Sequence, residues 1–240
     1  MSTRFYVIGV GPGDPELLTM KAARILKHCP VWFAPKARKE GESTALSIIE
    51  QVVDADGKDI LTHHFPMKKI HMGQAPEPEV ARAWRQAADA IALKIRQGQD
   101  VAFPTLGDPA IYSTGFYVLE TLGEIAPDVD IEIIPGVSSL GASSAAAVKP
   151  LCLGDDRMVV IPATFENGRL RETLEQYDTV VLMKVHRVMD RLLGLLEEMD
   201  LIDRAVLVER SSLKEQHITR DLRDFAPRQP HYFSTMIVRK

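Results

Sequence analysis

Short apolar runs alternate with amphipathic segments along most of the chain. Residues 5–10, 31–34, 101–103 and 131–134 are short, largely apolar runs, several closed by Gly or Pro, and they predict β-strands; 60–65, interrupted by Thr62, His63 and His64, reads as a weak strand. Helical periodicity lies between them. Leu18, Ala22, Ile25, Leu26 and Cys29 share one helical face within 15–28, a helix begun either by Asp14 with Pro15 or by Thr19. Further helices are predicted over 43–53, 79–96 and 115–125. Strands that alternate with helices imply right-handed crossovers and a mostly parallel sheet. After Pro150 the pattern restarts, with strands over 158–161, 179–183 and 205–208 and helices over 169–176 and 188–199. Segments 217–222 and 232–238 then follow with no helix between them, and the last reads as a closing strand suited to antiparallel pairing. The expectation is two α/β domains, 1–152 with a mostly parallel sheet and 153–240 with a mixed one.

Three glycine- and proline-bearing turns follow predicted strands: Gly9-Val10-Gly11-Pro12-Gly13-Asp14-Pro15, Thr105-Leu106-Gly107-Asp108-Pro109 and Pro135-Gly136-Val137-Ser138-Ser139. Glycine permits tight turns and close approach of a ligand. In open α/β sheets, ligands bind beyond the carboxyl ends of the strands. The first turn invites comparison with a dinucleotide loop and fails it. Asp14 stands where the third glycine belongs, Pro12 lacks a donor N–H, and the second strand ends in Ala34-Pro35-Lys36 without the ribose-binding carboxylate. By itself this turn reads equally as a ligand loop or as a tight strand-to-helix connection. Asp108, held out of the α region by Pro109, is suited to accept a ribose hydroxyl or an amino group, or to cap a helix, with Ser113 and Thr114 as rival caps. Ser138 and Ser139 sit at the third turn, ahead of a run of small residues suited to close packing.

The bulk numbers narrow the class. Net charge is -4, which does not suggest a nucleic-acid partner. The two cysteines, Cys29 and Cys152, form neither a disulfide framework nor a C-x-x-C motif, which fits a reducing cytoplasm. The expectation is a protein with neither signal peptide nor membrane span. His63, His64 and His71 have no ligand spacing, so no metal is expected, and neither a P-loop nor a G-x-S-x-G elbow occurs. Basic residues Lys36, Arg38, Lys39, Lys68 and Lys69 form local clusters that would matter for a polyanionic substrate.

Read together, Val7-Ile8-Gly9-Val10-Gly11-Pro12-Gly13-Asp14-Pro15-Glu16-Leu17-Leu18-Thr19, Gly107-Asp108-Pro109 and Pro135-Gly136-Val137-Ser138-Ser139 resemble the tetrapyrrole methylase family over nearly the whole chain. Gly107 to Thr114 and Phe65-Pro66-Met67 resemble the subgroup that methylates C20 of precorrin-2 or cobalt-factor II in cobalamin synthesis. The resemblance implies S-adenosylmethionine (SAM) as methyl donor, S-adenosylhomocysteine as product, a cofactor cleft between two α/β domains, and a homodimer. It implies cofactor contacts at Pro12, Leu106, Gly107, Asp108, Ile111, Ser138 and Ser139, and in the second domain at Ala163, Met183, Ser211 and Ser212. Arg210-Ser211-Ser212 departs from the family's usual Gly-Thr pattern after Glu209. Candidates for the substrate's carboxylates are Lys36, Arg38, Lys68, Lys69 and Lys184, and for a general base Tyr112 or His186. The competing expectations are another ring carbon or substrate within the family, and a non-catalytic nucleotide-binding regulator.

Overall fold

The apolar runs pair as strands because most of their apolar side chains pack beneath helices. A computed structural model describes residues 3–66, 68, 70, 74–225 and 228–240. β1 (Arg4–Gly9), β2 (Val31–Lys36), β3 (Asp59–His64), β4 (Val101–Thr105) and β5 (Asp130–Ile134) form one parallel sheet in the order β3-β2-β4-β1-β5. On one face Phe5, Val7, Phe33 and Phe103 pack with α3 (Pro78–Arg96) and α4 (Gly115–Ile125) through Ala87, Ile91, Val118 and Leu122. On the other, Ile8, Trp32, Ala102 and Ile134 pack with α1 (Met20–His28) and α2 (Thr44–Ile49) through Ala22, Leu26, Ile48 and Ile49. Both candidate caps in the first connection are used. Asp14 accepts from Glu16 N at 2.9 Å to open a short 3-10 turn, Pro15–Leu17, and Thr19 accepts from Ala22 N at 3.2 Å to open α1.

The winding order positions the site. The chain leaves β1 toward β2 and leaves β4 toward β5, yet β1 and β4 are neighbours. Their outgoing connections therefore pass each other on opposite faces of the sheet, the first through α1 and the second through α4. This is the reversal point at which ligands bind in open α/β sheets.

The second compact unit contains α5 (Ser139–Ala147), β6 (Met158–Pro162), α6 (Asn167–Gln176), β7 (Thr179–Met183), α7 (Met189–Glu198), β8 (Ala205–Glu209), β9 (His217–Thr219) and β10 (Ser234–Arg239). Its sheet is mixed, in the order β6-β7-β10-β8-β9, with β6 and β7 parallel and β10 antiparallel to both β7 and β8. The strand expected over 217–222 is shorter. It ends at Thr219, and Leu222, buried in the core, belongs to a separate 3-10 turn. Tyr232 and Phe233 precede β10 rather than forming part of it. The compact units divide between Ser138 and Ser139, ahead of the 152/153 boundary, because α5 packs on β8 and β10.

Candidate functional site

In the first unit the turns are bonded to one another. Gly11 and Gly107 form an isolated antiparallel bridge, with Gly107 N donating to Gly11 O at 2.7 Å and Gly11 N to Gly107 O at 3.3 Å. Both take left-handed backbone angles, φ +81° and +73°, which favour glycine. Gly9 answers a different need. A Cβ there would lie 2.6 Å from Gly136 N and 2.7 Å from Gly107 O. At Gly9 the missing side chain lets the turns approach each other, where the sequence suggested room for a ligand.

Asp108 fastens this assembly. Its Oδ1 accepts from Ala110 N at 2.8 Å and its Oδ2 from Gly136 N at 3.0 Å. It closes its own turn, but α4 starts later, at Gly115, whose N–H donates to Ser113 Oγ at 3.0 Å. A carboxylate has about four lone-pair positions, so two backbone bonds leave capacity for a ligand donor. Pro12, Leu106, Gly107, Asp108, Ile111 and Ser138 thus lie on turns joined at the carboxyl end of one sheet, and Ser139 follows as the first residue of α5.

The basic candidates divide. Lys36 ends β2 and Arg38 is exposed just beyond it. Lys68 is paired, its ammonium 2.6 Å from Glu77 and 2.9 Å from Glu79, which neutralises it locally. Lys69 lies outside the described residues, as do Met67 and His71. His63 packs against Phe33 and Phe65, at ring-centre distances of 6.0 and 5.0 Å, and burial lowers its pKa. Tyr112 is half exposed with φ +53°, an unusual angle for a non-glycine residue, and desolvation raises its pKa, so it keeps its proton.

In the second unit, the candidate residues end the strands. Ala163 N donates to Met183 O at 2.8 Å, and Arg191 clamps the same loop by donating to Ala163 O at 2.7 Å and Phe165 O at 2.8 Å. Met183 Sδ receives the Thr235 hydroxyl at 3.8 Å. Ser211 is buried, and its Oγ has no partner among the described residues. It is flanked by two left-handed residues, Arg210 (φ +50°) and Ser212 (φ +63°), and Ser212 N donates to Gln216 Oε1 at 2.7 Å. The sequence reading missed what holds this turn. Glu209, buried at the end of β8, accepts from Arg228 with both oxygens and from His231 N at 2.7 Å, and Arg228 holds its pKa below the usual carboxylate range. The available signal was a lone acidic residue ending an otherwise apolar strand. His186 Nδ1 is buried and unpartnered among the described residues, and burial, with Arg187, His231 and Lys184 nearby, lowers the ring's pKa. No group of three or more His, Cys, Asp or Glu side chains suited to a metal occurs among the described residues. No helix there is long and apolar enough to cross a membrane.

A parallel sheet with three interlocked turns at its winding reversal, followed by a mixed-sheet unit, is the architecture of a known class. The family model for tetrapyrrole (corrin/porphyrin) methylases matches residues 4–226, and the chain belongs to that family. It is 34% identical over 241 residues to the cobalt-precorrin-2 C(20)-methyltransferase of Salmonella typhimurium (strain LT2), covering 100% of this chain and 98% of that protein. It is 30% identical over 238 residues to the precorrin-2 C(20)-methyltransferase of a Sinorhizobium species, covering 98% and 94%. In fold it is similar to uroporphyrin-III C-methyl transferase from Thermus thermophilus complexed with S-adenosyl homocysteine, with a TM-score of 0.66 at 22% identity, covering 98% of this chain and 91% of that one.

Proposed function

We propose that this protein is a SAM-dependent methyltransferase of cobalamin biosynthesis that methylates C20 of precorrin-2 or cobalt-factor II. The observation that carries the reading is 34% identity, across all of the chain, to a C(20)-methyltransferase. The residues present suit the donor. Asp108 retains acceptor capacity for a ribose or amino group, and the buried Ser211 Oγ offers a polar contact that the protein itself leaves unmatched. Pro12, Leu106, Gly107, Ile111, Ser138, Ser139, Ala163, Met183 and Ser212 complete the proposed contacts. When bound, SAM would supply a methyl group on a cationic sulfonium, open to in-line attack by a nucleophilic ring carbon with the S–CH3 bond breaking and S-adenosylhomocysteine as the leaving group.

The protein then needs no nucleophile of its own. Its residues orient two reactants and exclude water, an effect worth up to about 7–11 kcal/mol. Of the two base candidates, Tyr112 keeps its proton and His186 is held neutral, so His186 is the one able to accept a proton at neutral pH. We place the enzyme in the cytoplasm as a homodimer, on family resemblance and on cysteine usage.

The test is incubation with SAM and either precorrin-2 or cobalt-factor II, read by mass spectrometry. The expected result is one added methyl that is absent without enzyme. Comparing the two substrates separates a metal-free from a cobalt-loaded route. SAM binding with no methyl transfer to either would overturn the reading in favour of a nucleotide-binding regulator.

A further inference from the structure

Six non-glycine residues among those described take left-handed backbone angles: Tyr112, Val148, Lys184, Asp200, Arg210 and Ser212. Two of them have an ordinary cause. Val148 follows α5, where Val148 N donates to Ala145 O and Lys149 N to Ser144 O, both at 3.1 Å. Asp200 comes just after α7, where Asp200 N donates to Glu197 O at 3.0 Å and Leu201 N to Leu196 O at 2.8 Å. Paired bonds of this kind are the left-handed close of a helix. The other four close no helix. Tyr112 lies in the connection that leaves β4, Lys184 follows β7, and Arg210 and Ser212 follow β8. Each stands beyond the carboxyl end of a strand, among or beside the proposed cofactor contacts. Disfavoured backbone gathers at ligand sites, where the surrounding structure holds it in place.

Tyr112 is the one aromatic residue of the four, and its connection explains its angle. At one end Asp108 fixes the turn, its Oδ1 accepting from Ala110 N at 2.8 Å and its carbonyl from Ile111 N at 3.2 Å. At the other end Ser113 Oγ lies 2.9 Å from Oγ1 of Thr105, the buried last residue of β4. The same Ser113 Oγ accepts from Gly115 N at 3.0 Å, where α4 begins. That start is seated against β1, since a Cβ on Gly115 would lie 2.7 Å from Val7 Cγ1. Tyr112 is the single residue that joins these two anchored ends, and it takes φ +53°. Its side chain is nonetheless 53% exposed, so packing within the chain offsets only part of that strain. A tyrosine ring presents a flat apolar face, and a ring already held in place loses little freedom when a ligand stacks on it. The matching ligand is itself a flat, conjugated ring.

We propose that Tyr112 is a substrate contact that stacks on the tetrapyrrole ring, and that Ser113, latched to Thr105, is the positioning residue that holds it there. This rests on the substrate class given under the proposed function. It replaces the general-base role for which the sequence made Tyr112 a candidate.

The test is steady-state methylation of whichever of cobalt-factor II or precorrin-2 the wild type accepts, with S-adenosylhomocysteine binding measured by calorimetry. Gly and Asn both tolerate a left-handed backbone, so Tyr112→Gly and Tyr112→Asn delete the ring without adding strain. Each is expected to raise KM for the tetrapyrrole about tenfold, with kcat changed less than twofold and S-adenosylhomocysteine affinity unchanged. Tyr112→Phe keeps the ring and should recover most of the loss. Ser113→Ala should raise KM in the same direction, and Ser113→Thr, which keeps the hydroxyl, should reverse it. Tyr112→Gly should also melt above Tyr112→Ala, which deletes the same ring but keeps the strain. Wild-type KM in both Tyr112→Gly and Tyr112→Asn overturns the proposal. A KM rise matched by an equal loss of S-adenosylhomocysteine affinity also overturns it, because that marks a collapsed turn. A wild type that binds S-adenosylhomocysteine but methylates neither tetrapyrrole overturns the substrate reading itself, and this contact with it.

Discussion

Both carboxylate oxygens of Asp108 accept backbone N–H groups, one from its own turn and one from the turn after β5. Replacing it removes a fastening as well as a ligand contact. Asp108→Ala leaves two donors unmatched and should cost about 1–3 kcal/mol of stability, along with a clear loss of SAM affinity. Asp108→Asn, which keeps one acceptor oxygen, should lose less of both; calorimetry and thermal melts that show no change in Asp108→Ala would contradict this role. A second residue-scale expectation concerns pH. His63 is packed between Phe33 and Phe65, and burial lowers its pKa from the ordinary 6.5. Above pH 6.5 the ring is neutral whether the chain is folded or not. Below it the unfolded chain takes up a proton first, so stability falls as pH drops toward the lower folded value. His63→Phe should show a shallower decline in that window, read from urea unfolding at a series of pH values, and an equally steep decline would count against it. At this scale the sequence exposed residue types and hid their partners. Asp108 stood out in its Gly-Asp-Pro turn, yet Gly136 is 28 residues away and nothing local marks it. Lys68 reads as a free cation until folding brings Glu77 and Glu79 beside it.

Among elements, the turns after β1, β4 and β5 behave as one interlocked piece. Gly9→Ala places a methyl group against the backbone of both other turns, where no side chain can move aside. It should therefore cost about 3 kcal/mol or more. A melting temperature equal to the wild type's would refute that packing account. Gly57→Ala is a useful comparison. Gly57 has nothing within 4 Å, so strain from its φ of +73° acts there without a clash, and the smaller loss is expected. In the second unit, Glu209 holds the Arg210-Ser211-Ser212 turn beside the strap from Arg228 to Phe233. Glu209→Gln removes the charge but keeps an acceptor. It should raise KM for SAM with little change in kcat, and equal KM values would disprove a positioning role. Strands were legible because apolar runs of three to six residues, 5–10, 31–34 and 101–103, were closed by Gly11, Pro35 and Pro104. Segment 217–222 misled because Leu222 is buried from a 3-10 turn, and burial alone does not distinguish turn from strand.

For the whole molecule, the alternation of strands and helices made the two α/β units legible, but their boundary was not. The strand-and-helix pattern restarts after Pro150, whereas α5 joins the second unit by packing on β8 and β10, a non-local contact that the local pattern does not record. The winding reversal between β1 and β4 was likewise invisible, since strand order follows from pairing and not from chain order. The proposed homodimer is a whole-molecule statement, and sedimentation equilibrium should return twice the chain mass; a single-chain mass at micromolar concentration would remove it. The central claim is the reaction itself. The most direct measurement is NMR of the tetrapyrrole product made with carbon-13-methyl SAM and purified enzyme. The expected result is a single labelled methyl on C20. A label on any other ring carbon, or no labelled product from either precorrin-2 or cobalt-factor II, would contradict the account.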